Sequence, residues 1–213
     1  MKKEEKMRTK QEQLSTLRLL GNKLCLDFAN TIDPRSGEQR YDYLTEYGDL
    51  VWWTQYVDLF SEEEARHLLA AAERSPSQAT FVFQRALLLR ETIYAVFSAI
   101  ASQTEPKHSD LDVLTAVYRE EIMHIHIVRV ENTFKWNWEE GHALASPLWP
   151  LVQSACELLF SAELDRLKMC PLDEGCGWLF FDTSKNGSRR WCRMESCGSR
   201  AKMRKQRSKA SSV

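Results

Sequence analysis

Four cysteines in the last quarter of the chain constrain its fold more than any other feature. Five residues separate Cys170 from Cys176, fifteen residues follow, and four residues separate Cys192 from Cys197. Zinc requires four ligands in a tetrahedron, and one short turn can supply two thiolates. The spacing therefore predicts one structural zinc ion, Zn2+, bound by Cys170, Cys176, Cys192 and Cys197. Four thiolates leave no open position for water, which argues against a catalytic metal.

The other two cysteines, Cys25 and Cys156, stand alone in apolar segments, and we expect them to be small buried side chains. The N-terminal residues are charged and lack the apolar core of a secretory signal. No run approaches the roughly 18 apolar residues of a membrane span. We therefore expect a cytoplasmic protein with no membrane partner, whose reduced thiols are free to bind metal.

Charge is divided unequally along the chain. Residues 1–163 carry 17 Lys and Arg against 25 Asp and Glu, a net charge of −8. Residues 164–213 carry 12 against 5, a net charge of +7. The near-neutral total thus conceals an acidic body and a basic tail, and this division predicts that the basic part binds a polyanion.

The apolar pattern of the body predicts a mainly helical domain. Ser61 and Glu64 can form a capping box for a helix that should end near Ser75 and Pro76. Ser146 can cap a later helix that has Pro147 at its first position. Helical spacing is expected over residues 41–60, 61–74, 78–102, from Ser109 onward, and over residues 147–167.

Two β-hairpins are predicted, one in the body and one between the cysteine pairs. In the body, residues 124–130 and 134–138 alternate around a turn. Between the cysteines, residues 178–181 would form a strand and residues 189–191 its return, with the turn at Asn186-Gly187. The predicted fold is mainly α: a helical N-terminal domain with a small β-hairpin, plus a small C-terminal zinc-binding β-hairpin and helix module.

Residues 183–213 hold ten cations and a single acid. Good helix formers dominate residues 201–207, so a helix should begin at the last metal ligand. Cations at this density fit a surface that contacts phosphates, and arginine can also reach base edges. A solvated basic tail is the alternative. We predict contacts to nucleic acid, DNA or RNA, from Lys185, Arg189, Arg190, Arg193, Arg200, Lys202, Arg204, Lys205 and Arg207.

These residues carry a family resemblance. The four cysteines, the Phe-Asp-x-Ser-x-Asn run at 181–186, Arg190-Trp191-Cys192 and Cys197-Gly198-x-Arg200 resemble the CGNR zinc finger of bacterial regulators. Ser199 stands where that finger's name-giving tetrad has Asn. The body resembles the ABATE domain that usually precedes this finger, through Leu26-Asp27-Phe28-Ala29-Asn30-Thr31 and Asp49-Leu50-x-x-Trp53. The resemblance implies a stress-responsive transcription regulator with a mainly helical N-terminal domain.

Three polar residues of that signature, Asp27, Asn30 and Thr31, would share one face of a helix. They could line a ligand pocket in a sensor domain. The interpretation we favour is that they satisfy buried backbone groups or cap a neighbouring helix.

The sequence divides into three expected parts: a mobile N-terminus (1–13), a helical domain (14–163) and a zinc finger with a basic helix (164–213). We expect Cys192→Ser to unfold the finger and to leave the helical domain intact; loss of cooperativity in the whole protein would mean that the finger is part of one core.

The leading hypothesis is a DNA-binding transcription regulator in which the helical domain senses a signal or dimerises. The alternative is an RNA-binding or protein-interaction module whose zinc finger is purely structural. We do not expect an enzyme, because no nucleophile and base, glycine-rich phosphate loop or open metal site is evident. A homodimer and a small-molecule effector stay open.

Overall fold

The architecture comes from a computed structural model that describes residues 12–37, 39–138, 143–173 and 175–210. Of the segment predicted to be mobile, 1–13, all but residues 12 and 13 lie outside this range. Among the described residues, no helix combines the length and the apolar character needed to cross a membrane.

The described residues are mainly helical, which confirms the predicted fold class. The longest helix, α4, spans 26 residues and packs against the helices before and after it and against the last strand pair. The helices are α1 (Leu24–Ala29), α2 (Tyr47–Tyr56), α3 (Glu62–Arg74), α4 (Pro76–Ala101), α5 (His108–Ile122), α6 (Leu148–Leu159) and α7 (Ser199–Ala210).

Local capping fixes where α2 and α3 begin. The predicted box at α3 is present, because Glu64 N–H donates to the Ser61 hydroxyl at 3.3 Å and Ser61 N–H donates to the Glu64 carboxylate at 2.7 Å. A second box, between Glu46 and Asp49, starts α2 later than the predicted residue 41. Residues 41 and 42 instead form a short strand.

Within the described ranges, the strands form three antiparallel pairs. The hairpin predicted in the body is present and joins β3 (Ile125–Val130) to β4 (Thr133–Trp138). The other pairs are β1 (Ile32–Asp33) with β2 (Tyr41–Asp42), and β5 (Leu167–Met169) with β6 (Leu179–Phe181).

The strand pairing around the cysteines differs from the prediction. Residues 179–181 do form a strand, but its partner is β5, which precedes the first metal ligand; the predicted return strand at 189–191 is wrong. The preceding helix was expected to run to about residue 167, where β5 begins, yet α6 ends at Leu159. Strand β6 takes its backbone hydrogen-bond partners from β5. Residues 183–191 therefore form a loop, which side-chain hydrogen bonds hold in place.

The core runs without a break from the helical domain into the cysteine region. Phe28, Trp53 and Phe97 of the helices are fully buried, and so are Leu179 and Phe180 of β6. Strand β6 packs against both α1 and α4. The zinc-finger segment therefore completes the apolar core of the helical domain.

Candidate metal centre and nucleic-acid interface

The sulfur atoms of the four predicted ligands converge on one buried point. The Sγ atoms of Cys170, Cys176, Cys192 and Cys197 all lie within 4.8 Å of one another. Cys176 and Cys192 are 3.5 Å apart, and Cys192 and Cys197 are 3.8 Å apart. A tetrahedral zinc with Zn–S bonds of about 2.3 Å places its sulfurs about 3.8 Å from one another. The donor set and its spacing therefore fit one structural zinc ion.

The backbone around the first two ligands is built for close approach. Cys170 directly follows β5, and its N–H donates to the Trp178 carbonyl at 2.8 Å. A Cβ on Gly175 would overlap the Cys170 sulfur and would lie 2.8 Å from the Pro171 carbonyl oxygen. Only glycine lets this turn bring Cys176 next to Cys170 without moving a ligand.

The four thiols shift one another's pKa values, and the Cys197 sulfur accepts a hydrogen bond from the first turn of α7. Hydrogen bonding from neighbouring thiols lowers the pKa of Cys170 to about 7 and also lowers that of Cys197, while it raises the pKa of Cys176. Arg200 donates to the Cys197 sulfur at 3.0 Å. A zinc ion with four thiolates carries a net charge of about −2, so this guanidinium offsets part of that charge at the start of α7.

Hydrogen bonds to backbone carbonyls hold the metal loop against the helical domain. Arg35 N–H donates to the Cys176 carbonyl at 2.8 Å, and the Trp178 indole donates to the Ile32 carbonyl at 2.9 Å. The Tyr94 hydroxyl donates to the Gly177 carbonyl, also at 2.9 Å. The turn that carries two ligands thus depends on partners 83 to 146 residues earlier in the chain.

A buried cation lies behind these contacts and was missed in the sequence. Arg35 is 6% exposed, its guanidinium lies 4.2 Å from the Tyr94 ring centroid, and it pairs with Glu91 at 2.6 Å. Burial lowers the pKa of Arg35 and Glu91 opposes that change. Arg90, 3% exposed, makes two 2.7 Å bonds to Asp42. Arg35 stands in a polar loop and gives no sequence signal of burial, whereas Arg90 lies at helical spacing between Phe83 and Phe97, on the apolar stripe of α4.

Asp182 organises the loop between the cysteine pairs. Its buried carboxylate accepts from Ser184 N–H at 3.0 Å, from Arg189 N–H at 2.8 Å and from Lys168 Nζ at 2.9 Å. Burial raises the pKa of Asp182, but the bonds from Lys168 and Ser184 lower it below its usual range. Lys168 also donates to the carbonyls of Gly187 and Arg189. This ion pair replaces the predicted return strand and fixes the position of the basic loop.

Four of the predicted nucleic-acid contacts lie along one groove. The groove has a volume of about 620 Å³ and separates the loop at 190–194 from α7. Trp191, Met194 and Ala201 give it an apolar lining, and Met194 is 61% exposed. Its cationic walls are Arg190, Lys202, Arg204 and Lys205.

The other predicted contacts are arranged differently. Arg189 lies over the Phe180 ring and donates to the Cys192 carbonyl, so it supports the loop. Arg193 pairs with Glu195 at 3.1 Å. Arg200 faces a second cleft beside the zinc ligands, with Arg18. Lys185 and Arg207 are exposed outside the groove. Ser199, in place of Asn, begins α7 and donates to the Met194 carbonyl at 3.2 Å.

The candidate pocket residues of the signature are buried and bonded mainly to backbone. The Asp27 carboxylate accepts from Gly21 N–H at 2.7 Å, and the Thr31 hydroxyl donates to the Phe28 carbonyl at 2.8 Å. Asn30 donates to the Leu179 carbonyl at 2.8 Å and accepts from Leu179 N–H at 3.0 Å. Their hydrogen-bonding groups are thus engaged in fixing α1, and in joining it to β6.

The pH dependence of stability should report on Asp27. Burial raises its pKa to about 6. Between about pH 4 and pH 6 the Asp27 carboxyl is therefore protonated in the folded protein and ionised in the unfolded chain. As pH rises from 4 to 7, this difference lowers the free energy of unfolding. Asp27→Asn keeps an acceptor for Gly21 and should stabilise the protein at pH 8 by about 1–3 kcal/mol, with a smaller gain at pH 5.5.

Urea unfolding of wild type and variant at both pH values measures that difference. Asp165→Asn, at an exposed position, is the matched control and should change stability by less than about 0.5 kcal/mol at either pH. An Asp27→Asn gain that is equal at pH 5.5 and pH 8 would rule out the ionisation account.

The fold and the site define a zinc-finger protein. Its helical domain shares one apolar core with a four-cysteine metal centre, and a basic helix follows that centre. Residues 22–162 match the ABATE family, described as "Putative stress-induced transcription regulator", and residues 166–210 match the CGNR zinc finger. The chain belongs to the ABATE family, and both resemblances expected from the sequence are confirmed. No curated protein matches the chain.

Proposed function

We propose that this chain is a cytoplasmic, non-enzymatic transcription regulator that binds duplex DNA through its zinc finger and α7. In this proposal the zinc ion is structural and holds the basic groove in place. The helical domain senses a signal and passes it to the finger through their shared core. The two families support a regulator with a zinc finger, and the DNA contact and the sensing role are our inference.

The observation that carries the proposal is the groove between residues 190–194 and α7. Four cations, Arg190, Lys202, Arg204 and Lys205, converge there on a segment whose start is fixed by the metal. Phosphate contacts of this kind provide most of the affinity for nucleic acid and make it depend on salt. Four neutralised phosphates would give a slope of log K against log salt of about −3.6.

Replacing Lys202 and Lys205 together with alanine should weaken binding of a labelled DNA duplex about tenfold or more at low salt. Alanine keeps the helix, so the change removes charge and leaves the backbone in place. The salt slope should become less negative by about 1.8, because two phosphate contacts are lost. Fluorescence anisotropy with the full-length, zinc-loaded chain, in a salt series, measures both quantities.

The matched control is the double variant Arg66→Ala and Arg119→Ala, which removes two exposed helical cations from α3 and α5. It changes net charge equally but lies outside the groove, so the slope should stay at its wild-type value. Equal losses in the two double variants would mean that total charge, and not the groove, governs binding. Absence of binding at low salt would exclude the direct DNA-binding role.

Single-stranded nucleic acid is a second candidate because of Trp191. Its ring lines the groove, is only partly buried and lies 4.8 Å from the Arg190 guanidinium. Aromatic rings beside arginines are typical stacking platforms for unpaired bases. In the same assay, tighter binding of single-stranded RNA or DNA than of duplex, lost on Trp191→Leu, would favour this function over duplex recognition.

A further inference from the structure

The β3–β4 hairpin has an apolar face that the described part of the chain leaves uncovered. Ile127 pairs with Trp136, and Arg129 pairs with Phe134, which places these four residues on one face. Ile127 is 61% exposed, Trp136 56% and Phe134 71%. Of the hairpin's apolar side chains whose burial is described, only Ile125, at the base, packs against the core.

Such a hairpin is not self-sufficient. A lone two-stranded hairpin is marginally stable in water, and it needs a further strand or another element packed on its apolar face. The three exposed side chains offer roughly 100 Å² or more each, or about 350 Å² together. Patches of this size on a monomer commonly mark an interaction site. Ile122 and Met123, which directly precede the hairpin, are 43% and 74% exposed and adjoin it in sequence.

We propose that this face is the interface through which two copies of the chain form a homodimer. When two copies pack face to face about a two-fold axis perpendicular to the strands, β3 lies on β3 and β4 on β4, and the tip of each hairpin covers the base of the other. Two copies bring together about 700 Å² of apolar surface before any backbone or polar rim is counted, which is more than half of the roughly 1,200 Å² at the lower end of stable interfaces. The face supplies both halves of the contact, as a two-fold interface requires.

Charge sets the orientation of the two copies. Arg129 is the one cation on the apolar face and lies near the tip of the hairpin, beside Phe134. Glu120, near the base at the end of α5, already pairs with Arg85 at 2.9 Å. An antiparallel arrangement keeps the two Arg129 side chains at opposite ends of the interface. A parallel arrangement would set the two arginines against each other.

The proposal predicts the mass and dissociation constant of the full-length, zinc-loaded chain in sedimentation velocity, without any nucleic acid. Wild type should sediment at twice the 24.8 kDa of the chain at tens of micromolar. Ile127→Glu buries an unpaired carboxylate in each half of the interface and should raise the dissociation constant at least about a hundredfold. Val130→Glu is the matched control: the same strand and substitution on the opposite face, where Val130 is 40% exposed, with less than about a threefold change expected.

Trp136→Gln provides a second test on the apolar face, in case Ile127→Glu disturbs the hairpin. The zinc content and the melting temperature of each variant show whether it is folded. Amides of residues 125–137 should exchange more slowly as protein concentration rises. A wild-type monomer at all concentrations overturns the proposal. So does equal dissociation by Val130→Glu and Ile127→Glu, or a dimer unaffected by both Ile127→Glu and Trp136→Gln. None of these readouts depends on DNA binding.

Discussion

Replacing Cys192 with serine is expected to unfold the whole chain, and not only its last fifty residues. A structural zinc contributes roughly 10–16 kcal/mol of apparent binding free energy, which is comparable with the total stability of a domain. The finger is also part of the core, because Leu179 and Phe180 are fully buried and β6 packs on α1 and α4. Losing a ligand should therefore remove both the metal and one wall of the core.

The measurement is a thermal melt followed at a helical circular dichroism band, where most of the signal comes from the helical domain. Cys192→Ser, or the wild type with a chelator, should lower the midpoint strongly and reduce the helical signal at room temperature. Cys156→Ser, at a half-buried thiol outside the metal centre, is the control and should leave zinc content unchanged. If the variant keeps a helical transition at the wild-type temperature, the finger is an appendage.

That expectation reverses the one suggested by the sequence, and the reason is physical. The composition of residues 164–213 differs from the rest, so the segment resembles an independent module. Its strand β6 nevertheless packs on α1 and α4 and hydrogen-bonds to the turn before α1, where Phe181 N–H donates to the Gly21 carbonyl at 2.8 Å. Contacts between residues 160 positions apart leave no trace in local composition.

Local chemistry was predicted well. The four metal ligands follow from spacing alone because each pair lies on one short turn. The capping box at Ser61 and Glu64 depends on residues three apart, and the β3–β4 hairpin depends on alternation and one turn. Each of these features is decided within about thirty residues of the chain, so the local sequence contains the pattern that predicts it.

Features that depend on distant partners were not predicted. The return strand at 189–191 failed because β5 occupies the pairing edge of β6 and the Lys168–Asp182 pair holds the loop. The nine predicted contact cations were treated as one surface, yet Arg189 supports the loop and Arg200 faces the zinc thiolates. Charge density predicts a basic region, but the direction of each side chain depends on the fold.

Asn30 joins the helical domain to the finger, and replacing it with alanine is expected to cost about 2–5 kcal/mol. The side chain is fully buried and makes both hydrogen bonds of the Leu179 backbone, at 2.8 Å and 3.0 Å. Alanine leaves a buried N–H and a buried carbonyl unpaired, each at about 1–3 kcal/mol. Urea unfolding at pH 7 with saturating zinc measures the loss, and Asn137→Ala, at an exposed position of the hairpin, should cost less than about 0.5 kcal/mol.

Asn30→Asp separates this hydrogen-bond role from simple packing, because aspartate has nearly the same shape. Its carboxylate can accept from Leu179 N–H but cannot donate to the Leu179 carbonyl, and burial disfavours its charge. The pKa of the new carboxyl should therefore be raised, so Asn30→Asp should lose stability as pH rises from 5.5 to 8 while Asn30→Ala should show the wild-type pH profile. If Asn30→Asp and wild type are equally stable at pH 8, the paired bond to Leu179 is not what holds β6 to α1, and the continuous apolar core alone joins the finger to the helical domain.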